Sequence, residues 1–270
     1  MSDPLVKRWL DAGELDLPLP GSGQTANHWR KLAAFAEIDV VAARLAEAHA
    51  CHSDPRRIRR TFTQAGRAVA VWAAESAEVT LTGDEVDGVA ELNGTKAWCS
   101  GAGLCTNALV TAHRADGERG LYAVALRCAH VTALEDSWRN AGMETPTPEQ
   151  LNSAAPPQHP SAVPASICSA RLLVRRHRGG GMWLGAARGV AAALYHAVGN
   201  QHSNAAHDPH APAHLGAVDA ALAAADAVLI ATACQVDAGT DCARAELIAR
   251  RARAVVETLW KKRSPEPDGH

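Results

Sequence analysis

The sequence predicts an α+β, multidomain chain: a helical N-terminal segment, an antiparallel β middle domain and a C-terminal helical bundle. Three observations carry this reading. Apolar residues recur at three and four positions from Trp29 to Ala48, short runs rich in Val, Thr and Trp fill the stretch from Arg67 to Leu126, and helical periodicity returns from Trp183 onward. The implied division is 1–66, 67–165 and 166–270.

In the first segment, Trp29, Leu32, Ala33, Ala36, Val40, Val41, Leu45 and Ala48 form one apolar stripe with Lys31, Glu37 and Arg44 between them, which predicts a single amphipathic helix. The preceding LDLPLPGSGQTANHW is punctuated by proline and glycine and reads as loop, with Thr25 and Asn27 as N-cap candidates that start the helix near Asn27. One short helical turn is expected around Val6 to Leu10.

In the middle segment, the runs RAVAVWAA, EVTL, VDGVAEL, TKAWCS, NALVTA and GLYAVAL are separated by turn residues and read as antiparallel strands. Asn93-Gly94, between Glu91-Leu92 and Thr95-Lys96, is the preferred pair for a two-residue type I′ hairpin, because both positions need positive φ. The proline-dense stretch from Glu144 to Pro164 is expected to be a surface loop or linker, unable to sustain a helix or a central strand.

In the last segment, Trp183, Ala187, Val190, Leu194 and Val198 make an apolar stripe, while Gly185, Gly189 and Ala193 make a small face that lets another backbone approach. A second helix follows HDPHAP through Leu215, Val218, Leu222, Ala225, Leu229, Ala233 and Val236 and stops at Gly239 as C′. Asp241 then caps a third, CARAELIARRARAVVETLWKK, and short connections imply an antiparallel bundle.

Composition excludes several classes. With 47% hydrophobic and 21% charged residues the chain is an ordinary globular mixture, and a net charge of -2 offers no electrostatic footprint for nucleic acid or anionic lipid. The seven cysteines form no CxxC pair, and the N-terminal residues lack a signal-peptide core, so free thiols in a cytoplasmic protein are expected. The apolar stretches Met182 to Val198 and Leu215 to Val236 carry Arg188, and Asp219 and Asp226, which argues against membrane spans. The basic runs at 55–60 and 175–178 lack interleaved aromatics and read as exposed turns. His202, His207, His210 and His214 have a spacing that can present imidazoles to zinc or nickel, but Pro209 and Pro212 interrupt any helix that would align them. A solvated inter-helix loop with no metal is expected. No Walker A, GxGxxG after a strand, GxSxG or HExxH motif occurs.

The segment with chemical content is Leu92 to Ala102, LNGTKAWCSGA. Lys96, Trp98 and Ser100 are spaced by two, so on a strand they project from one face, where an indole and a hydroxyl suit a flat heteroaromatic cofactor. Spacing alone favours a simpler reading, in which Trp98 is a core residue and Ser100 a strand-end turn former.

LNGTKAWCSGA followed by ALVTA resembles the middle domain of the acyl-CoA dehydrogenase family, whose hairpin reads glycine, lysine, then Trp-x-Ser or Trp-x-Thr. VWAAES, at Val71 to Ser76, stands where that family has a Thr-Glu-Pro type motif, DSWRNAGM resembles its Trp then Gly-Met segment, and AHLGAVDAALAAADAVL resembles a long helix of its C-terminal bundle. The resemblance covers the chain from about Val69 onward. It implies a β-barrel-like middle domain, FAD, oxidation of the CH–CH bond of an acyl-CoA thioester in fatty acid metabolism, an electron-transfer partner and a homodimer. It places Trp98 on the isoalloxazine, Ser100 near the N5 edge, and the backbone of Ala73 and Ala74 against the ring.

The chain also departs from the family pattern. Fewer than seventy residues precede the β region, Ser76 is followed by Ala77 and Glu78 where the family has Gly-Ser-Asp, and no Arg-x-x-Phe-Gly motif is present. No catalytic base carries over. HRGGGMW contains no acid, the chain ends before the family's late glutamate, and Glu246 and Glu257 lie on an arginine-rich helix where i,i+4 ion pairing is expected. The alternative is therefore a shortened, catalytically impaired member acting as a binding or interaction protein.

Overall fold

The computed structural model describes residues 2–50, 69–86, 89–128, 130–134, 150–155, 179–239 and 242–261. Asp241, both basic runs, the DSWRNAGM segment and the C-terminal tail lie outside the described residues. The chain forms two units, one from Met1–Asp16 and Leu45–Ile167, the other from Leu17–Arg44 and Cys168–His270.

The first unit begins with α1 (Ser2–Asp11), longer than the single turn expected. Val6 and Trp9, three apart on one face, are 1% and 2% exposed, so burial extends a helix whose local signal is weak. Its centre is a seven-stranded sheet of β1 (Val69–Trp72), β2 (Leu81–Val86), β3 (Val89–Lys96), β4 (Asn107–His113), β5 (Arg119–Ala125), β6 (Val131–Leu134) and β7 (Gln150–Ala155). The strand order is β1-β4-β2-β3-β7-β6, with β5 on the other edge of β4.

The sheet is mixed, which corrects the antiparallel expectation. β1 and β2 both run parallel to β4, through Val69↔Asn107 to Trp72↔Val110 and through Thr82↔His113, because residues 73–80 carry the chain onward along β4 without reversing it. The remaining pairs are antiparallel.

Two further expectations fail here. Asn93-Gly94 is not a turn: β3 runs through it, and β2 pairs with β3 from Leu81↔Gly94 down to Val86↔Val89, so the chain reverses between Val86 and Val89. Gly94 still needs to be glycine, since its φ is +117 and a Cβ there would run into the Thr80 carbonyl oxygen. Within the proline-dense stretch, Gln150–Ala155 contains no proline and forms β7, an interior strand between β3 and β6.

The core of this unit includes Trp72, Leu81, Leu92, Val110, Tyr122 and Val124. On β5, Gly120, Tyr122 and Val124 alternate inward. The Tyr122 hydroxyl donates to the Gly83 carbonyl at 2.7 Å, and a Cβ at Gly83 or Gly120 would collide with its ring.

In the second unit, the expected single helix is two. α2 (Thr25–Ile38) ends at Asp39, whose φ of -155 and ψ of 112 are extended, and α3 (Val40–Ala50) starts beyond it and continues into the first unit. The Asp39 carboxylate accepts from Ala42 N–H at 2.8 Å while its own N–H bonds Phe35 O at 3.0 Å, so one residue stops a helix and caps the next. α2 begins at Thr25, not near Asn27. Its N-terminus is capped from a distance, with Asp237 accepting from Gly23 N at 3.0 Å, Thr25 N at 2.9 Å and Thr25 Oγ1 at 2.6 Å.

α4 (Gly179–Gly199), α5 (Asn204–His207), α6 (Ala211–Asp237) and α7 (Cys242–Lys261) complete this unit. α4 meets α2 backbone to backbone: a Cβ on Gly181 would strike Trp29, one on Gly185 the Ala33 carbonyl, and one on Gly189 would press on Glu37. The small face is thus Gly181, Gly185 and Gly189, and Ala193 is exposed. The predicted large-residue stripe is only partly covered: Trp183 and Val190 are 43% and 48% exposed, Leu194 and Val198 are half-buried, and Ala187 packs against the core. Trp183 lies two residues from Gly185, about 200° around the helix, so contact through the glycines leaves it outside.

On α6, Leu222, Ala225, Leu229, Ala233 and Val236 are buried as expected, joined by Trp29, Leu184 and Val256. Gly239 has φ +82 and donates to Val236 O at 3.2 Å, the C′ position expected of it. Pro212 sits in the first turn of α6, where it breaks no hydrogen bond. By length and composition α6 is, among the described residues, the one helix able to cross a membrane. Its Asp226 pairs with Arg188 at 3.2 Å. Glu246 and Glu257 pair with Arg250 and Arg253, each at 2.5 Å, the i,i+4 pairs expected on α7.

Candidate functional site

β3 stops at Lys96, and the next four residues set the site. Ala97 and Cys99 turn inward and are 7% and 0% exposed, while Trp98 between them is 47% exposed. Trp98 has φ +62 and is the sole non-glycine residue with positive φ among the described residues. Lys96, Trp98 and Ser100 therefore do not share a face. The strand's two-residue alternation ends at Lys96, and the left-handed backbone at Trp98 swings the indole outward while Lys96 goes under. The core reading of Trp98 also fails, since its indole is half open to solvent.

The Lys96 side chain is 3% exposed, and its Nζ meets Glu75 Oε1 at 2.9 Å, Thr111 O at 2.9 Å and Thr111 Oγ1 at 3.0 Å. Arg119 reaches the same carboxylate oxygen at 2.6 Å, the Ala73 carbonyl at 2.9 Å and Thr111 Oγ1 at 3.1 Å. Thr111 Oγ1 donates to Glu75 Oε1 at 2.6 Å, and His113 Nε2 stands 3.8 Å from Oε2. Burial pushes the Lys96 ammonium below its ordinary range and the nearby Arg119 adds to this, while the bond and charge of Glu75 oppose it. For Glu75, burial pushes upward, but hydrogen bonds from Thr111, Lys96 and Arg119 with the Lys96 charge outweigh it and hold the carboxylate below its usual value.

These contacts bring the sequence-predicted residues onto two tied segments. Ala73 and Ala74 lie just past β1, with the Ala73 carbonyl held by Arg119. The Trp72 indole N–H donates to the Ser100 carbonyl at 3.1 Å, which joins the end of β1 to the Trp98 turn. Ser100 is half-buried, and its hydroxyl makes no hydrogen bond among the described residues. Sequence reasoning missed Glu75, Thr111 and Arg119 as members of the site. The AES tripeptide containing Glu75 was a usable signal, whereas Arg119 follows a turn and carries none.

Among the described residues, Cys99, Cys105, Cys128 and Cys234 form no disulfide. Among the described residues no three His, Cys, Asp or Glu side chains gather as a metal site, and the His207 ring bonds Ser203 O at 3.0 Å.

No protein-family model matches the sequence, and no curated protein matches it. Solved structures are similar. KijD3 in complex with FMN and dTDP-3-amino-2,3,6-trideoxy-4-keto-3-methyl-D-glucose superposes with a TM-score of 0.75 at 18% identity, over 96% of this chain and 74% of that one. Methanesulfinate monooxygenase MsuC from Pseudomonas fluorescens gives 0.73 at 17% identity, over 93% and 73%. TdsC from Paenibacillus sp. A11-2, in complex with FMN and indole, gives 0.69 at 17% identity, over 96% and 82%. This chain has the fold of these proteins, broadly an acyl-CoA dehydrogenase-like fold.

Proposed function

We propose that this protein is a flavin-dependent oxidoreductase whose Trp98 turn and Ala73-Ala74 segment face the isoalloxazine. The observation that carries the reading is Trp98 itself. A left-handed backbone on a residue with a Cβ costs about 1–2 kcal/mol, and a half-exposed indole recovers only part of its burial energy. Strain of this kind, held by buried neighbours on both sides, marks a side chain kept in place for a ligand.

The residues present fit a flavin. The indole offers a flat apolar face, the Ser100 hydroxyl has no hydrogen-bond partner among the described residues, and the adjoining segment is anchored through the Ala73 carbonyl. A flavin bound there supplies two-electron redox chemistry. Trp98 then covers one face of the ring and excludes water from it, Ser100 offers a hydrogen bond at the ring edge, and the Ala73-Ala74 backbone limits how far the ring can slide.

Two substrate readings have support. The LNGTKAWCSGA resemblance supports FAD-dependent oxidation of an acyl-CoA thioester with an electron-transfer partner. The similarity to a methanesulfinate monooxygenase and to FMN-bound KijD3 and TdsC favours FMN and an oxygenation instead. A cytoplasmic homodimer with free thiols completes the proposal. The test is titration of the purified protein with FMN and with FAD, for wild type and Trp98→Ala. Saturable binding by wild type that is lost in the variant supports the reading, and equal retention by both overturns it. Flavin binding without turnover of acyl-CoA or of oxygenation substrates identifies a non-catalytic binding protein.

A further inference from the structure

We infer that Glu75 is a positioning residue that fixes the Ala73-Ala74 segment relative to the Trp98 turn; the inference rests on the flavin reading above. Three elements converge on its carboxylate. Lys96 ends β3 immediately before the Trp98 turn, Thr111 lies on β4, and Arg119 opens β5.

Glu75 itself follows β1 by three residues, in a segment with no ladder partner of its own. Its place is fixed by side chains: Oε1 takes Lys96 at 2.9 Å, Arg119 at 2.6 Å and Thr111 at 2.6 Å, and Arg119 holds the Ala73 carbonyl two residues back. The same carboxylate that fixes residues 73–75 therefore fixes Lys96, the last residue of β3 and two before Trp98. At the far end of the turn, Trp72 holds Ser100. The two segments are thus tied at both ends of the turn, by an ion pair at Lys96 and by an indole hydrogen bond at Ser100.

The charge balance gives the clamp its rigidity. The Lys96 side chain is 3% exposed, so its ammonium needs the carboxylate, and breaking one partner of such a pair leaves an uncompensated buried charge, whereas removing both does not. Arg119, the second cation on the same carboxylate, is 26% exposed and can be solvated when the carboxylate is lost. This separates positioning from mere stability. Glu75→Gln strands the buried Lys96, while the double variant Glu75→Gln with Lys96→Met removes the buried ammonium as well, leaves the partly exposed Arg119 to solvent, and relieves the larger burial penalty without restoring the clamp.

The experiment measures, for wild type, Glu75→Gln and the double variant, the dissociation constants of FMN and FAD by flavin fluorescence, the urea midpoint, and amide hydrogen exchange at Ala97–Ser100. Glu75→Gln is expected to weaken flavin binding about tenfold or more and to speed exchange at Ala97–Ser100. The double variant is expected to regain most of the urea midpoint and none of the affinity. Affinity that recovers with stability overturns the positioning role, as does wild-type affinity in Glu75→Gln, and both leave the flavin reading standing. A wild-type protein that binds neither flavin overturns the flavin reading and this inference with it.

Discussion

Replacing Trp98 by alanine and by glycine gives a pair of variants whose order of stability reports the backbone strain directly. About half of the indole is buried, roughly 100 Å² of apolar surface, and at ~25 cal/mol per Å² both variants lose about 2–3 kcal/mol. They differ in the backbone. Alanine at φ +62 keeps a penalty of about 1–2 kcal/mol that glycine does not have. Against this, glycine has a more flexible unfolded chain, which costs about 0.5–1 kcal/mol relative to alanine. Trp98→Gly should therefore be the more stable of the two by about 0.5–1 kcal/mol, where at negative φ alanine would lead by a similar amount. Urea denaturation at matched m-values resolves such a gap. An alanine variant as stable as the glycine variant, or more so, refutes the strained turn. Both variants should bind flavin equally poorly, since both lack the indole.

Asp237→Ala removes a charged cap with three contacts to the start of α2 and should cost about 1–2 kcal/mol, read as a lower urea midpoint. Gly185→Ala places a Cβ against the Ala33 carbonyl, and the shift of α4 from α2 should cost roughly 1–3 kcal/mol by the same measurement, whereas Gly199→Ala, in open space, should cost little. Because Glu75 is held below its ordinary 4.5, its contribution to stability is complete above that value and falls as pH drops through the folded-state value; Glu75→Gln should flatten that acid limb in a series of urea midpoints. Lys96 acts at the other end: held below 10.5, it makes stability rise as pH climbs from its folded value toward 10.5, and Lys96→Met should abolish that rise.

Much of the architecture is local in origin and legible for that reason. The buried positions of α6, the glycine after it and the ion pairs of α7 follow from spacing along a single helix. What escaped depends on partners distant in sequence. The apolar stripe runs on past Asp39, and only the extended backbone there reveals two helices. β7, with the sequence QLNSAA, has no β-branched or aromatic residue and exists as a strand because β3 and β6 supply its ladder. Asn93-Gly94 has the composition of a hairpin turn, and pairing of β3 with β7 across it keeps it in a strand. For the site, the motif led to Trp98 and Ser100, but not to the conformation that exposes the indole. Nor did it lead to the carboxylate clamp, whose members Glu75, Lys96, Thr111 and Arg119 meet only once β1, β3, β4 and β5 are assembled.

The most direct test of the account is a flavin titration of the purified protein, followed by tryptophan emission and by the flavin absorption bands after gel filtration. Quenching that saturates with FMN or FAD in wild type, and is smaller in Trp98→Phe while the flavin still binds, is the predicted result, the difference being the share of Trp98 among the seven indoles. A protein that takes up neither flavin, with its tryptophan emission unchanged, contradicts the central claim.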